Sequence, residues 1–257
     1  MNDHIYDFWN KQGEVYKKSH VASWGDTLAI DLEIDNISRF INNGDKVLDI
    51  GCANGYSTFF YLKKEPKHIT GIDFSESMIK YAKDRAEELK VESKVNFQIG
   101  DVRKLEFDDN SFDLSYTTRV LINLSTWEEQ KKGIDESIRV TKKGGKIIFS
   151  EAFYEPQVLI NSLRQLVNLP PLYEHDFNRY LKKTRLEDYL EKNGYSFECI
   201  EISSIYYLGS RFLRELVTNP SDYEGYSNPI NKIFYDIEQE YSGGGWSSAI
   251  ICCSEIR

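Results

Sequence analysis

The order of apolar and polar residues in the first half of the chain predicts strands and helices in turn. Ile30, Ile34, Ile37 and Ile41 recur at helical spacing, and a polar turn at 42–45 ends that helix. The predicted strands that follow are 46–50, 68–73, 95–100, 112–117 and 146–150. The predicted helices between them are 56–64, 75–89 and 126–141. Strands that alternate with helices indicate βαβ units and a parallel sheet with right-handed crossovers.

Beyond residue 151 the pattern is less regular. The aromatic segment LPPLYEHDFNRYL, at 169–181, predicts an irregular loop. We predict a strand at 197–205, a turn and a final strand in GGGWSSAIICCSEI, and helices at 158–167, 186–192, 211–217 and 229–240. Neither an internal repeat nor a low-complexity linker divides the sequence. We therefore predict a single domain over 1–257 that carries an inserted cap.

The composition narrows the range of functions. The 257 residues carry a net charge of −9 without a cluster of lysine and arginine, so nucleic acid is a poor partner. The N-terminus MNDHIYDFWN lacks the apolar core of a signal peptide. The sequence also has no apolar window near the ~20 residues of a membrane span, so we predict no membrane partner. The four cysteines lack paired-ligand spacing, which favours reduced thiols and a cytoplasmic location.

The string VLDIGCANGYST, at 47–58, ends the first predicted strand in a glycine-containing turn. Its glycine spacing differs from the G-x-G-x-x-G of dinucleotide sites, and the lysine of a phosphate-binding P-loop is missing. Gly51 would let a ligand approach the backbone closely, and Gly55 would let the next helix start tightly. Ligands of such sheets bind beyond the carboxyl ends of the strands. The alternative is a strand–turn–helix in which the glycines serve geometry alone.

Three acidic residues follow three successive predicted strands. Asp49 can accept hydrogen bonds from a cationic group, and Asp73 can hold both ribose hydroxyls of a nucleoside. Asp101 can accept from an exocyclic amine, while the amide of Val102 donates to a ring nitrogen. Each has an ordinary alternative, since Asp73 also suits a helix cap and a Gly-Asp turn is common. Their order along the strands favours a nucleoside that lies across the sheet.

On these residues the chain resembles the class I S-adenosylmethionine-dependent methyltransferases. The matching strings are VLDIGCANG, GIDFSESMIKYAKDRAEEL, GDVRKLEFDDNSFDLSYTTRVL and ESIRVTKKGGKIIFSE. The resemblance covers residues 45–151 and implies an α/β, Rossmann-like fold. Such a fold has a mostly parallel seven-stranded sheet, helices on both faces and a C-terminal antiparallel strand. We therefore interpret 45–151 as a cofactor-binding core, and the segments around it as an N-terminal helical lid at 1–44 and acceptor-binding cap elements at 152–185 and 206–246.

The resemblance implies that the cofactor is S-adenosylmethionine and the product S-adenosylhomocysteine. Asp49, Gly51 and Gly55 would line the methionine part, together with the neighbouring Cys52 and Ala53. Ala53 departs from the family, because many members carry glycine there, but alanine is small enough to leave the loop open. Thr117 and Arg119 would lie near the sulfonium and the carboxylate. Arg119 also fits a simple surface ion pair.

For the adenosine part, the resemblance implies a second group of residues. Asp73 would hold the ribose hydroxyls, and Phe74 and Met78 would flank the adenine. Asp101 and Val102 would read the edge of the adenine ring.

Methyl transfer from a sulfonium is an in-line displacement, so holding the acceptor in line matters most. A hydroxyl acceptor also benefits from a general base. Glu151 follows the fifth predicted strand and His175 lies in the predicted cap, so both are candidates for catalytic residues. Glu151 could equally be a structural carboxylate. The histidine and acidic residues show no metal-ligand spacing, and we therefore predict that the site holds no metal.

The acceptor should be bound outside the shared core. Aromatic side chains with polar tips suit small, polar, ring-containing ligands, although most of them only pack the cap. The residues that we predict to bind substrate are Asn178, Tyr180, Tyr206, Tyr207 and Arg211, and Arg211 would suit a phosphate. If the cap only packs, the N-terminal aromatics Tyr6, Trp9, Tyr16 and Trp24 are the next candidates.

The strings VLINLSTWEEQ and NRYLKKTRLEDYLEKNGY, together with SSIYYLGSR, are similar to methyltransferases of bacterial surface-polysaccharide synthesis. This looser resemblance implies a small-molecule acceptor, such as a sugar, a nucleotide sugar or a phosphate-bearing precursor. The alternatives are a protein or nucleic-acid methyltransferase and a non-catalytic S-adenosylmethionine-binding protein. TTRV stands where DNA-amino methyltransferases carry an N/D-P-P-Y/F string. We expect a monomer or a homodimer.

Overall fold

A seven-stranded sheet forms the centre of the molecule. The computed structural model describes residues 3–219, 222–223, 225–246 and 249–256. The strands are β1 (Lys46–Ile50), β2 (His68–Asp73), β3 (Val95–Ile99), β4 (Phe112–Thr118), β5 (Thr141–Glu151), β6 (Tyr195–Glu201) and β7 (Ala249–Ile256). Their order across the sheet is β3-β2-β1-β4-β5-β7-β6. The first five strands are parallel and β7 runs antiparallel to both neighbours, which confirms the predicted fold class.

Helices cover both faces of this sheet. The α-helices of the described residues are α1 (Asp3–Tyr16), α2 (Thr27–Ser38), α3 (Tyr56–Tyr61), α4 (Glu76–Leu89), α5 (Trp127–Val140), α6 (Tyr154–Leu166), α7 (Lys183–Lys192), α8 (Ser204–Leu208), α9 (Arg214–Val217) and α10 (Ile230–Glu240). The apolar stripes of α2, α3 and α4 share one core cluster, and those of α5 and α7 share another. The central strands are therefore buried on both sides, as their continuous apolar runs require.

Most predicted elements are present, but several boundaries in the second half differ. The strand β5 begins at Thr141 rather than 146, and β6 begins at Tyr195 rather than 197. The helix α6 begins four residues before the predicted 158, and α7 begins at Lys183 rather than 186. The predicted strand 197–205 is wrong at its end, because β6 stops at Glu201 and Ile205 lies in α8. The backbone N–H of Tyr206 donates to Glu238 of α10 over 2.9 Å, and a carboxylate at a helix N-terminus favours the helix.

The N-terminal helix α1 docks on the start of α4. Asn10 Oδ1 accepts hydrogen bonds from the Ser77 N–H (3.0 Å) and from the Ser75 hydroxyl (3.2 Å). The Ser77 hydroxyl donates back to the Asn10 carbonyl over 2.6 Å. Gly13 allows this close approach, since a Cβ there would lie 2.2 Å from Ser77 Oγ. Polar contacts therefore fix α1 across the carboxyl ends of β1 and β2.

We expect Asn10→Ala to loosen α1 without unfolding the sheet. The change removes the oxygen that two donors of α4 share, and each such hydrogen bond contributes about 0.5–1.5 kcal/mol. Hydrogen exchange of the α1 amides should become roughly tenfold faster, while exchange in β1 and β4 stays slow. Lys11→Ala, at an exposed neighbouring position, is the matched control and should exchange like the parent. Equal exchange in Asn10→Ala would show that the side chain of Asn10 does not hold the helix.

Candidate active site

A cleft opens where β1, β2, β3 and β4 end at the same edge of the sheet. The backbone N–H groups of Gly51 and Cys52 both donate to the Ile72 carbonyl, at 2.7 and 2.9 Å, which ties the loop after β1 to the end of β2. Gly51 has φ +77°, and a Cβ there would lie 2.2 Å from the side chain of Val120. Only glycine therefore lets the loops after β1 and β4 meet at this distance.

Asp73 links the loop after β1 to the turn after β2. Its Oδ2 accepts from the Ala53 N–H (3.0 Å) and its Oδ1 from the Ser75 N–H (2.9 Å). Burial raises the pKa of this carboxyl to about 6, against the opposing effect of these hydrogen bonds. Each oxygen accepts one bond from the protein and has a second lone pair for a ligand. Two neighbouring hydroxyls are the kind of ligand that this arrangement suits.

Beyond Asp73 the cleft is lined by apolar surface and a polar edge. Phe74 and Val102 belong to its wall. Asp101 is held by Arg103, whose Nη2 lies 2.6 Å from the carboxylate, and Arg103 also pairs with Glu129. Burial alone would raise the pKa of Asp101, but the hydrogen bonds and charge of Arg103 outweigh it and hold that pKa below its usual value.

The structure brings most of the predicted cofactor residues to this cleft. Those that line it are Gly51, Ala53, Asp73, Phe74, Met78, Asp101, Val102 and Arg119. Those that lie behind its surface are Asp49, Cys52, Gly55 and Thr117, which are absent from its lining. Asp49 accepts a hydrogen bond from the Thr58 hydroxyl over 2.6 Å, and burial raises the pKa of Asp49 to about 6.

A second space, a chamber of about 670 Å³, adjoins the cleft. Cleft and chamber share Trp9, Ser23, Arg119 and Asn123, which we call the neck. The indole N–H of Trp9 donates to Asn123 Oδ1 over 3.2 Å, so α1 and the turn after β4 meet there. The neck is the place where a group bound in the cleft can reach a molecule bound in the chamber.

The chamber contains most of the predicted acceptor residues. His175, Asn178, Tyr180, Tyr207 and Arg211 line it. The His175 ring lies 4.1 Å from the Phe177 ring, between centroids.

Tyr206 does not line the chamber. It is 1% exposed, packs against α2 and donates from its hydroxyl to Asp26 over 2.5 Å. The geometry therefore gives Tyr206 a structural position rather than contact with an acceptor.

Glu151 does not face the chamber either. It is 1% exposed, and Oε1 accepts from the Thr117 hydroxyl (2.7 Å) and from the Val120 and Leu121 N–H groups (3.1 Å each). Oε2 accepts from the Ile122 N–H over 3.3 Å. These bonds fix the turn that follows β4, so the alternative of a structural carboxylate matches this placement.

The same turn carries the cap. The Arg179 N–H donates to the Ile122 carbonyl over 2.7 Å, and Gln130 Nε2 bridges the carbonyls of Leu121 and Arg179. Glu151 therefore supports, through this turn, the loop that holds His175 and Asn178.

The sequence reasoning missed Glu33. It lies on α2, lines the chamber and forms an ion pair with Arg119, which also lies 4.6 Å from the Trp24 ring. Burial raises the pKa of Glu33, and Arg119 opposes that effect. A signal existed, because Glu33 stands three residues after Ile30 and so falls on the apolar stripe of its helix.

Two further findings bear on the site. Within the described ranges, no three His, Cys, Asp or Glu residues come together as a metal site would require. The helices of the same ranges include none with the length and hydropathy of a membrane span.

A family model described as a methyltransferase domain matches residues 41–194, which is more than half of the 257 residues. The chain therefore belongs to this family. Together with the solved relatives named below, the match identifies an S-adenosylmethionine-dependent methyltransferase.

Relatives with known activities methylate different atoms. The ubiquinone biosynthesis O-methyltransferase of Coxiella burnetii is 27% identical over 211 residues, which cover 80% of this chain and 83% of that protein. Phosphoethanolamine N-methyltransferase 1 of Arabidopsis thaliana is 28% identical over 137 residues, 53% of this chain and 27% of that protein.

Solved structures share the fold. The geranyl diphosphate C-methyltransferase from Streptomyces coelicolor has a TM-score of 0.62 and 13% identity, covering 88% of this chain and 79% of its own. The [4+2]-cyclase SpnF has a TM-score of 0.60 and 22% identity, covering 88% of this chain and 81% of its own. The fold alone therefore leaves the acceptor open.

We expect Asp73→Asn to weaken binding of S-adenosylhomocysteine by roughly ten- to a hundredfold. The amide offers one acceptor oxygen where the carboxylate offers two charged ones, and a charged hydrogen bond contributes about 1.5–3 kcal/mol. Calorimetry measures the affinity, and Asp108→Asn, an exposed acid far from the cleft, is the control. Unchanged affinity in folded Asp73→Asn would remove the proposed ribose contact.

We expect Glu151 to make the fold less stable as the pH rises. Burial raises the pKa of its carboxyl from 4.5 to about 7, so between these values the unfolded chain releases a proton that the folded chain keeps. The unfolding free energy should fall across that window by on the order of 1–3 kcal/mol. Glu151→Gln removes this fall. The unfolding free energy of the variant minus that of the parent, measured by denaturant titration, should therefore rise with pH. A difference that stays flat would show that Glu151 ionises normally in the fold.

Proposed function

We propose that this methyltransferase acts on a hydroxyl of a small, polar, ring-containing metabolite. The acceptor class is a sugar, a nucleotide sugar or a phosphate-bearing precursor of a surface polysaccharide. The observation that carries this proposal is the chamber, which joins the cleft at the neck and is lined by both aromatic rings and charged groups. A concave chamber of this size, with aromatic and charged lining, suits a small acceptor.

The residues of the cleft fit S-adenosylmethionine. Asp73 offers two carboxylate oxygens to the ribose hydroxyls, Phe74 and Met78 offer apolar surface to the adenine, and Val102 lies at the far edge. When bound, S-adenosylmethionine supplies an electrophilic methyl group on a positively charged sulfur. The protein contributes position, because the neck is the passage between the two spaces.

The chamber offers matched groups to a hydroxylated ring. The Asn178 Oδ1 atom is buried and has no hydrogen-bond partner among the described residues, so it can accept a bond from an acceptor hydroxyl. The guanidinium of Arg211 lies 4.5 Å from the Tyr226 ring and pairs with Asp26 over 2.6 Å. Flat aromatic surface beside charged hydrogen-bonding groups suits the two faces and the rim of a sugar.

His175 is the proposed general base. It lines the chamber, and its ring contacts Phe177 and Phe8, the neighbour of Trp9 in the neck. A ring nitrogen there can take the proton that a hydroxyl loses when its oxygen attacks the methyl group. Glu151 is not proposed for this role, because its oxygens are bonded within the protein.

We expect His175→Ala and Asn178→Ala to lower kcat/KM by at least ~10², since a misaligned acceptor loses in-line geometry. Both changes lie outside the cleft, so affinity for S-adenosylhomocysteine should stay within about twofold, near 0.4 kcal/mol. Labelled methyl transfer to pools of polar metabolites, including nucleotide sugars, identifies the acceptor first. His4→Ala, an exposed histidine of α1, is the control. If both variants methylate as well as the parent, the cap only packs and the acceptor site lies elsewhere.

A further inference from the structure

Two acid–arginine pairs border the chamber at different places. Glu33 pairs with Arg119, which is part of the neck and so borders the cleft as well. Asp26 pairs with Arg211 over 2.6 Å, and Arg211 lines only the chamber. Both acids belong to the same stretch, Glu33 within α2 and Asp26 as its N-cap. The pairs are chemically alike and differ in their distance from the cofactor cleft.

Arg119 cannot easily leave the neck. Its backbone has φ +55°, a conformation that non-glycine residues adopt only where their surroundings hold them. Its N–H donates to the Ser150 carbonyl (2.8 Å), and its carbonyl accepts from Asn123 Nδ2 (2.8 Å). With the Trp24 ring on its side chain, the guanidinium stays beside the cleft. A fixed positive charge therefore stands in the neck, between the cleft and the chamber.

That charge opposes the donor more than the product. S-adenosylmethionine carries a positive sulfonium, whereas the sulfur of S-adenosylhomocysteine is neutral. Repulsion by an unpaired arginine would therefore weaken the binding of the donor more than that of the product. Such an effect is larger in a buried site than in water. Glu33 is buried on an apolar stripe, where the loss of hydration makes a carboxylate unfavourable unless a charged partner compensates for it.

We propose that Glu33 is a positioning and specificity residue that neutralises Arg119 and thereby removes a charge that would favour the neutral product over the cationic donor. The role concerns the cofactor and is independent of the proposed acceptor. Neutralisation of Arg119 also helps a fresh S-adenosylmethionine to replace S-adenosylhomocysteine after turnover, because the site does not then bind the neutral product more tightly than the donor.

The test measures the affinities of both ligands by calorimetry, without any acceptor. In Glu33→Gln, the Kd of S-adenosylmethionine should rise by at least ~10-fold, about 1.4 kcal/mol, while that of S-adenosylhomocysteine changes by less than about threefold. Asp26→Asn leaves an equally unpaired arginine in the chamber wall and should keep the parent ratio of the two Kd values. Arg119→Gln should shift the ratio the other way, toward the donor.

The double variant Glu33→Gln/Arg119→Gln restores neutrality and should restore the parent ratio, which keeps the test valid if Glu33→Gln alone fails to fold. An unchanged ratio in Glu33→Gln, or an equal change in Asp26→Asn, would overturn the proposal. An equal loss of affinity for both ligands in Glu33→Gln would also overturn the proposal, since that result marks a purely structural role. None of these results depends on which acceptor is methylated, so failure here is distinct from failure of the proposed function.

Discussion

The arrangement of the whole site depends on one buried carboxylate. Glu151, at the end of β5, gathers the Thr117 hydroxyl and three successive backbone N–H groups of the turn after β4. That turn presents Arg119 and Asn123 to the neck and places Val120 against Gly51. A carboxylate that accepts several bonds inside the protein offsets its desolvation, and here it holds a turn whose own regular structure is one short 3-10 helix, Leu121–Asn123.

The chamber is assembled from segments that are far apart in sequence. The loop after α6 reaches the turn after β4 through the bond between the Arg179 N–H and the Ile122 carbonyl. The helix α1 reaches the same turn through Trp9 and Asn123, and Asn10 fixes α1 to α4. The cleft and the chamber therefore share two supports, α1 and the turn after β4.

Local signals predicted what depends on local geometry. Gly51 directly follows β1 and Asp73 is the last residue of β2, so the alternation of strands and helices sufficed to place them at one edge of the sheet. Glu151 is the last residue of β5, but the orientation of its side chain depends on its bonds to the turn after β4. That turn lies about thirty residues earlier in the chain. The sequence predicts a strand at Ile205, because the carboxylate of Glu238 that bonds to the start of α8 is 32 residues away from Tyr206 and leaves no local pattern. Glu33 had a local signal in its place on the apolar stripe of α2, but its partner Arg119 is 86 residues away, and no local pattern links the two.

The position of α1 has a kinetic consequence. Ile5 borders the cleft, Phe8 borders the chamber, and Trp9 borders both. One helix thus forms a wall of two compartments, and its separation from α4 would open them together. If both ligands leave by way of this wall, their departures share one activation barrier, and the two rates follow the same dependence on temperature and viscosity.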